Sequence, residues 1–242
     1  MQVLKVGKAM KIAAVVLCCS VVQTAFIAPQ SRAESTTAVS LGEAVKLAAP
    51  ERRQIHDFLV DNGAPESTAS KIIRNLEKGE LPDSDNGSNP ISIERKLDHG
   101  DIVERRIFED GSLSITRIPD LKANNASGQV NMMAVGGCKK SSSHYAWSYT
   151  DCLASGVSAI VSIRFRFNYG GDVGHRSASI TKYWGQTYQT RAATISNAHF
   201  ERLPASHVRF GGTLNSSTGL FSGSRFLDLS VNGFNATANL TD

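Results

Sequence analysis

Between Ser162 and Tyr169 the side chains alternate without a break: Ile163, Phe165, Phe167 and Tyr169 fall on one side, Ser162, Arg164, Arg166 and Asn168 on the other. Successive side chains of a strand point to opposite faces of its sheet, so this segment is predicted to be a half-buried β-strand. Similar short segments, separated by Gly, Asn and Ser, recur at 144–150, 176–184, 187–196, 206–210, 225–231 and 233–240. From Cys138 to Asp242 the pattern predicts an antiparallel β-sandwich of immunoglobulin-like size.

The preceding part reads differently, so the fold class expected for the whole chain is α+β. Residues 40–79 predict three short helices. The first follows the Ser40–Glu43 capping pattern and carries Leu41, Ala44, Val45 and Ala48 on one face. Pro50 opens the second, with Ile55, Phe58 and Leu59 as its stripe. Pro65 opens the third, with Ala69, Ile72, Ile73 and Leu76 at helical spacing and Gly79 as its stop. At 91–118 the period switches to alternation, interrupted at His99-Gly100 and Asp110-Gly111, which predicts a three-stranded β-meander. Residues 119–137 are small and polar and read as a linker. The resulting division is 1–33 leader, 34–90 helical segment, 91–118 meander, 119–137 linker and 138–242 β domain.

The leader has the anatomy of a secretory signal. Lys5, Lys8 and Lys11 precede an apolar run from Ile12 to Val22, and Ser31 and Ala33 satisfy the small-residue rule for cleavage after Ala33. That run is too short and interrupted to span a bilayer core of roughly 30 Å, and no later segment is apolar enough to do so. The expected product is secreted and extracellular. Without the four basic residues of the leader, the 26 basic groups fall to 22, equal to the 22 acidic ones. The basic balance of the whole chain is therefore no argument for nucleic acid as a partner. The charge also divides along the chain: residues 34–135 carry 12 basic and 17 acidic groups, residues 136–242 carry 10 and 5. Opposite signs favour docking of the helical segment on the β domain, as a cover, propeptide or mask, over two separate beads on a string.

Cleavage also leaves two of the four cysteines, Cys138 and Cys152. In an oxidising compartment they are expected to pair with each other. Chain reversals that would bring them together are available at Lys139–Ser143 and at Thr150-Asp151.

The run Pro65 to Asp85, the hairpin Glu109–Ser114 and the β segment opening at Gly137-Cys138 resemble uncharacterised secreted proteins of Gram-positive actinobacteria. The resemblance implies export and carries no activity or functional residue with it.

Motifs for chemistry are sparse. There is no G-x-S-x-G elbow, and serines such as Ser141-Ser142-Ser143 sit in polar loop-like sequence. His144 with Asp151, and Asp172 with His175, are the acid–base near-pairs. Asp83, Asp85 and Glu94 fit three positions of an EF-hand loop, but Ser88 stands where the sharp turn needs Gly. No metal or cofactor is expected. The aromatic distribution is more suggestive, since both Trp and all five Tyr lie between Tyr145 and Tyr188. Tyr145, Trp147 and Tyr149 alternate and share a strand face; with Trp184 they form either a solvent-exposed platform for a ligand or the core of a sandwich. The reading favoured by the sequence is a non-catalytic binding or structural module, acting on an envelope or extracellular protein or glycan. A secreted hydrolase without a recognisable motif, or an effector masked by its N-terminal segment, are the alternatives.

Overall fold

Two prolines set where the helices begin. The computed structural model describes residues 46–120, 138–172, 178–217 and 219–242; the leader, the first expected helix up to residue 45, and the linker from residue 121 lie outside them. Helix α1 spans Ala49–Asp61 with Pro50 in its first turn, and the Glu51 carboxylate accepts the Ala48 N–H at 3.1 Å. Ala48 itself is extended, so the described end of the first expected helix is not helical. Helix α2 spans Glu66–Glu77 directly after Pro65. Ile55 and Leu59 of α1, and Ala69, Ile72, Ile73 and Leu76 of α2, are buried, as their spacing predicts. A single 3-10 turn at Asp83–Asp85 leads into the strands.

Eleven strands follow among the described residues: β1 Ser92–Asp98, β2 Asp101–Ile107, β3 Leu113–Pro119, β4 Lys139–Ser142, β5 Ala146–Val157, β6 Val161–Asp172, β7 Ala178–Thr190, β8 Ala193–Arg202, β9 His207–Ser216, β10 Ser222–Asn232 and β11 Asn235–Thr241. They form two antiparallel sheets. One has the order β1-β2-β3-β5-β6-β7, with β4 also on β5; the other has the order β11-β10-β9-β8. His99 and Gly100, both at positive φ (49° and 84°), close the β1–β2 hairpin as a two-residue turn. The sequence separates β1–β3 from the C-terminal strands by a linker, but β3 pairs with β5 over Ile115–Arg117 and extends the same sheet. Strand β5 is long enough for this because its first half pairs with β4 and its end with β3.

The two sheets face each other across one hydrophobic core. Ile163, Phe165, Phe167 and Tyr169 of β6 have no exposed surface, and Val208, Phe210, Leu227 and Leu229 meet them from the second sheet. Gly156 of β5 permits the closest approach: a Cβ there would lie 2.8 Å from the Leu240 side chain of β11.

Cys138 and Cys152 are bonded, with their α-carbons 4.3 Å apart. The reversal that brings them together lies at Ser143–Tyr145, between β4 and β5, where the Ser143 hydroxyl accepts the Ala146 N–H at 3.1 Å. Asp151 is instead part of a bulge in β5, at φ 61°, and the extra residue turns Cys152 toward Cys138.

The helices close one end of the sandwich and share its core. Thr68 of α2 lies over Gly111 in the β2–β3 turn, and the Arg191 guanidinium sits 5.4 Å from the Phe58 ring centre. Beneath them is a buried polar cluster. The Asp85 carboxylate accepts hydrogen bonds from Ser84 at 2.8 Å and from Ser158, the residue that follows β5. Arg225 of β10 lies 3.5 Å from Asp85, donates to the Ser84 carbonyl, and pairs with Asp242 at 2.9 Å. Burial pushes the Asp85 carboxyl above its ordinary range, against the opposing pull of the Arg225 charge and the serine hydroxyls. This cluster ties the helical segment to both sheets.

Candidate functional site

The aromatic residues singled out by the sequence do not meet on one surface. Trp147 is 5% exposed and Tyr149 not at all, so their shared face is the inner face of β5. There they join Tyr169 in a cluster, with Tyr149 and Tyr169 stacked at 5.3 Å and Trp147 edge-on to both. Burial removes these two rings from any ligand in solution. Tyr145 precedes the strand, in the β4–β5 turn, and is 79% exposed. Trp184 belongs to β7 opposite Arg166, on the other face of the sheet, half-buried with the Lys182 ammonium 5.1 Å from its ring.

One member of the cluster does reach the surface. Phe234, in the two-residue turn between β10 and β11, packs against Trp147 with ring centres 4.5 Å apart and is 40% exposed. It forms one lip of a cleft of about 540 Å³ at the end of the sandwich opposite the helices. The cleft exists because the sheets differ in width. Strand β11, the edge of the second sheet, lies over β3 and β5, so most of β1 and β2 has no facing strand. On that open inner face the register aligns Leu97 with Ile102 and Ile118, and Arg95 with Glu104 and Thr116. Asn232 and Asn235 line the opposite wall, and Asp120, whose N–H donates to the Gly100 carbonyl at 2.8 Å, lines the cleft where β3 ends.

Glu104 organises the floor. Its carboxylate accepts from Arg95 at 2.6 Å and from Arg106 at 2.7 Å, and Arg106 reaches on to Asn239 of β11. Burial alone would raise the Glu104 carboxyl, but the hydrogen bonds from Arg95 and Arg106 outweigh it and hold the group below the usual carboxylate range. The cleft thus presents a fixed charge row, two amides, a carboxylate and an aromatic ring. Sequence reasoning missed it. The available signal was Asn232-Gly233-Phe234-Asn235, a hairpin turn carrying a large apolar residue where turns ordinarily place polar ones.

The acid–base near-pairs are not assembled. Asp151 binds Arg166 at 2.7 Å, while His144 packs its ring against Tyr145 at 4.9 Å. His175 lies outside the described residues, and the pair with Asp172 with it. Of the EF-hand positions, Asp85 is engaged by Ser84, Ser158 and Arg225, and Glu94 accepts from Arg105 at 2.9 Å. Asp83 accepts the Asp110 N–H at 3.1 Å. His207 does contact Asp228 at 3.0 Å, with the Thr241 hydroxyl on the other carboxylate oxygen. Activating a nucleophile requires the hydroxyl on the imidazole, so the order is the wrong one for a triad.

No family model and no curated protein matches the chain. Among solved structures, the hypothetical protein lmo2686 from Listeria monocytogenes EGD-e superposes with a TM-score of 0.32 at 12% sequence identity, over 62% of this chain and 100% of that one. A superposition so loose carries no conclusion about fold or function.

Proposed function

We propose that this chain is an exported, non-catalytic binding module that takes a glycan in the cleft between β1–β3 and the β10–β11 turn. The observation that carries the reading is the half-exposed Phe234 ring beside Asn232, Asn235 and Asp120. Planar amides and carboxylates match sugar hydroxyls, and an accessible ring matches the apolar face of a pyranose. Trp147 supports the site from beneath, as the buried backing of Phe234. The helical segment, packed into the common core and tied by Arg225, supports a permanent part of the fold over a detachable mask.

Titration calorimetry against a panel of envelope-type oligosaccharides tests the reading. A ligand should bind the unaltered chain, and Phe234→Ala and Asn235→Ala should each weaken it at least about tenfold. Asn235→Ala should leave the melting temperature unchanged, while Phe234→Ala should lower it modestly, because that half-exposed ring also packs on Trp147. Absence of any oligosaccharide binding, or unchanged affinity in both variants, would overturn it.

A further inference from the structure

Among the described residues the two sheets have five strand edges, β1, β4 and β7 on one and β8 and β11 on the other, and four of them are guarded. β4 is only four residues long and carries Lys139 and Lys140, too short and too charged to template a partner. β7 is bulged twice against β6 and β8 once against β9, which twists their outer edges away from new partners. β11 lies over β3 and is held there by Arg106. β1 differs. It pairs with β2 over seven consecutive residues without a bulge and is exposed along nearly its whole length. Ile93 is 50% and Leu97 63% exposed, and Ile91 just before the strand is 69% exposed. Ladder alternation from the two-residue turn leaves the backbone groups of Ile93, Arg95 and Leu97 on the free edge.

We propose that β1 pairs with β1 of a second copy of this chain, antiparallel about a twofold axis at Arg95. The sequence of the strand is self-complementary in that register. With Arg95 at the centre of Ser92–Asp98, Glu94 lies opposite the partner's Lys96 and Lys96 opposite the partner's Glu94, on one face. On the other, Ile93 lies opposite the partner's Leu97 and Leu97 opposite the partner's Ile93. Closed twofold pairing of this kind needs each contact twice, which a palindromic charge and apolar pattern supplies. The only like-charge pair is Arg95 with the partner's Arg95, and each guanidinium is already held by its own Glu104 at 2.6 Å. A twofold between antiparallel strands stands normal to the sheet, so the two clefts open on the same side. If the proposed glycan reading holds, the dimer presents two sites to one polymer, with the avidity that follows; the pairing itself does not depend on that reading.

Sedimentation velocity over a concentration series should show a monomer–dimer equilibrium for the unaltered chain. Glu94→Lys and Lys96→Glu should each be folded and monomeric, because each sets like charges opposite one another at both symmetry-related positions. An equimolar mixture of the two should recover the dimer as a heterodimer. A register test reads the same contact independently of charge: Ile93→Cys mixed with Leu97→Cys should oxidise to a cross-linked heterodimer, while either chain alone should cross-link at least tenfold less. A monomer at every concentration would overturn the proposal. So would a dimer indifferent to both charge reversals, or equal cross-linking in mixed and unmixed chains.

Discussion

The Tyr169 hydroxyl is buried among rings without a hydrogen-bond partner, and burial pushes it well above the ordinary tyrosine range. An unpaired buried hydroxyl costs about 1–3 kcal/mol in proteins, whereas the ring earns its place by stacking on Tyr149. Tyr169→Phe should therefore raise stability by about 1 kcal/mol, read from the midpoint of urea unfolding. Trp147→Ala should do the reverse, lowering stability by about 3–5 kcal/mol as a core truncation. Any loss of glycan binding in that variant should accompany its loss of fold. Asn235→Ala, at an exposed residue, should separate the two effects. The alternation of Tyr145, Trp147 and Tyr149 could be read from sequence as a shared face, but period alone does not say whether a face looks inward. That depends on a second sheet, whose first strand starts only at Ala193.

Among the elements, α2 was the most legible, because four apolar residues at helical spacing between Pro65 and Gly79 leave little choice of structure. The alternation in β6 was equally plain. The union of β3 with β5 was not, since it turns on which half of a long strand stays unpaired by β4, a matter of length and register that composition does not encode. The cleft was hidden for the same reason: it follows from one sheet being wider than the other. The β4–β5 hairpin rests on the Cys138–Cys152 bridge, which closes a loop of about 15 residues and should contribute about 3 kcal/mol. Replacing both cysteines by alanine should lower the melting temperature, and non-reducing peptide mapping should find one linked pair in the unaltered chain. The meander should weaken in acid. The hydrogen-bonded Glu104 carboxyl protonates at lower pH in the folded than in the unfolded chain, so its contribution is complete above the unfolded value near about 4.3 and is lost as pH falls through the folded one. Thermal melts from pH 7 down to pH 3 should show a decline that Glu104→Gln makes shallower.

For the molecule as a whole, the decisive group is Arg225, 2% exposed and shared between Asp85, Asp242 and the Ser84 carbonyl. Removing one partner of a buried ion pair leaves the other charge stranded, at a cost of about 3–5 kcal/mol. Asp85→Ala should approach that value in chemical unfolding. Asp85→Asn should cost less, because the amide keeps an acceptor oxygen for one of the two serines, which donate to different carboxylate oxygens, and burial already disfavours the ionised acid. The same contact joins positions 141 residues apart, and that between Arg106 and Asn239 spans 133. A chain emerging from the ribosome in order makes its helices and hairpin early, yet the strands that fasten them come last. Contacts this distant slow the search for the native state. For as long as β10 and β11 are missing, the N-terminal half has no closed core to settle into.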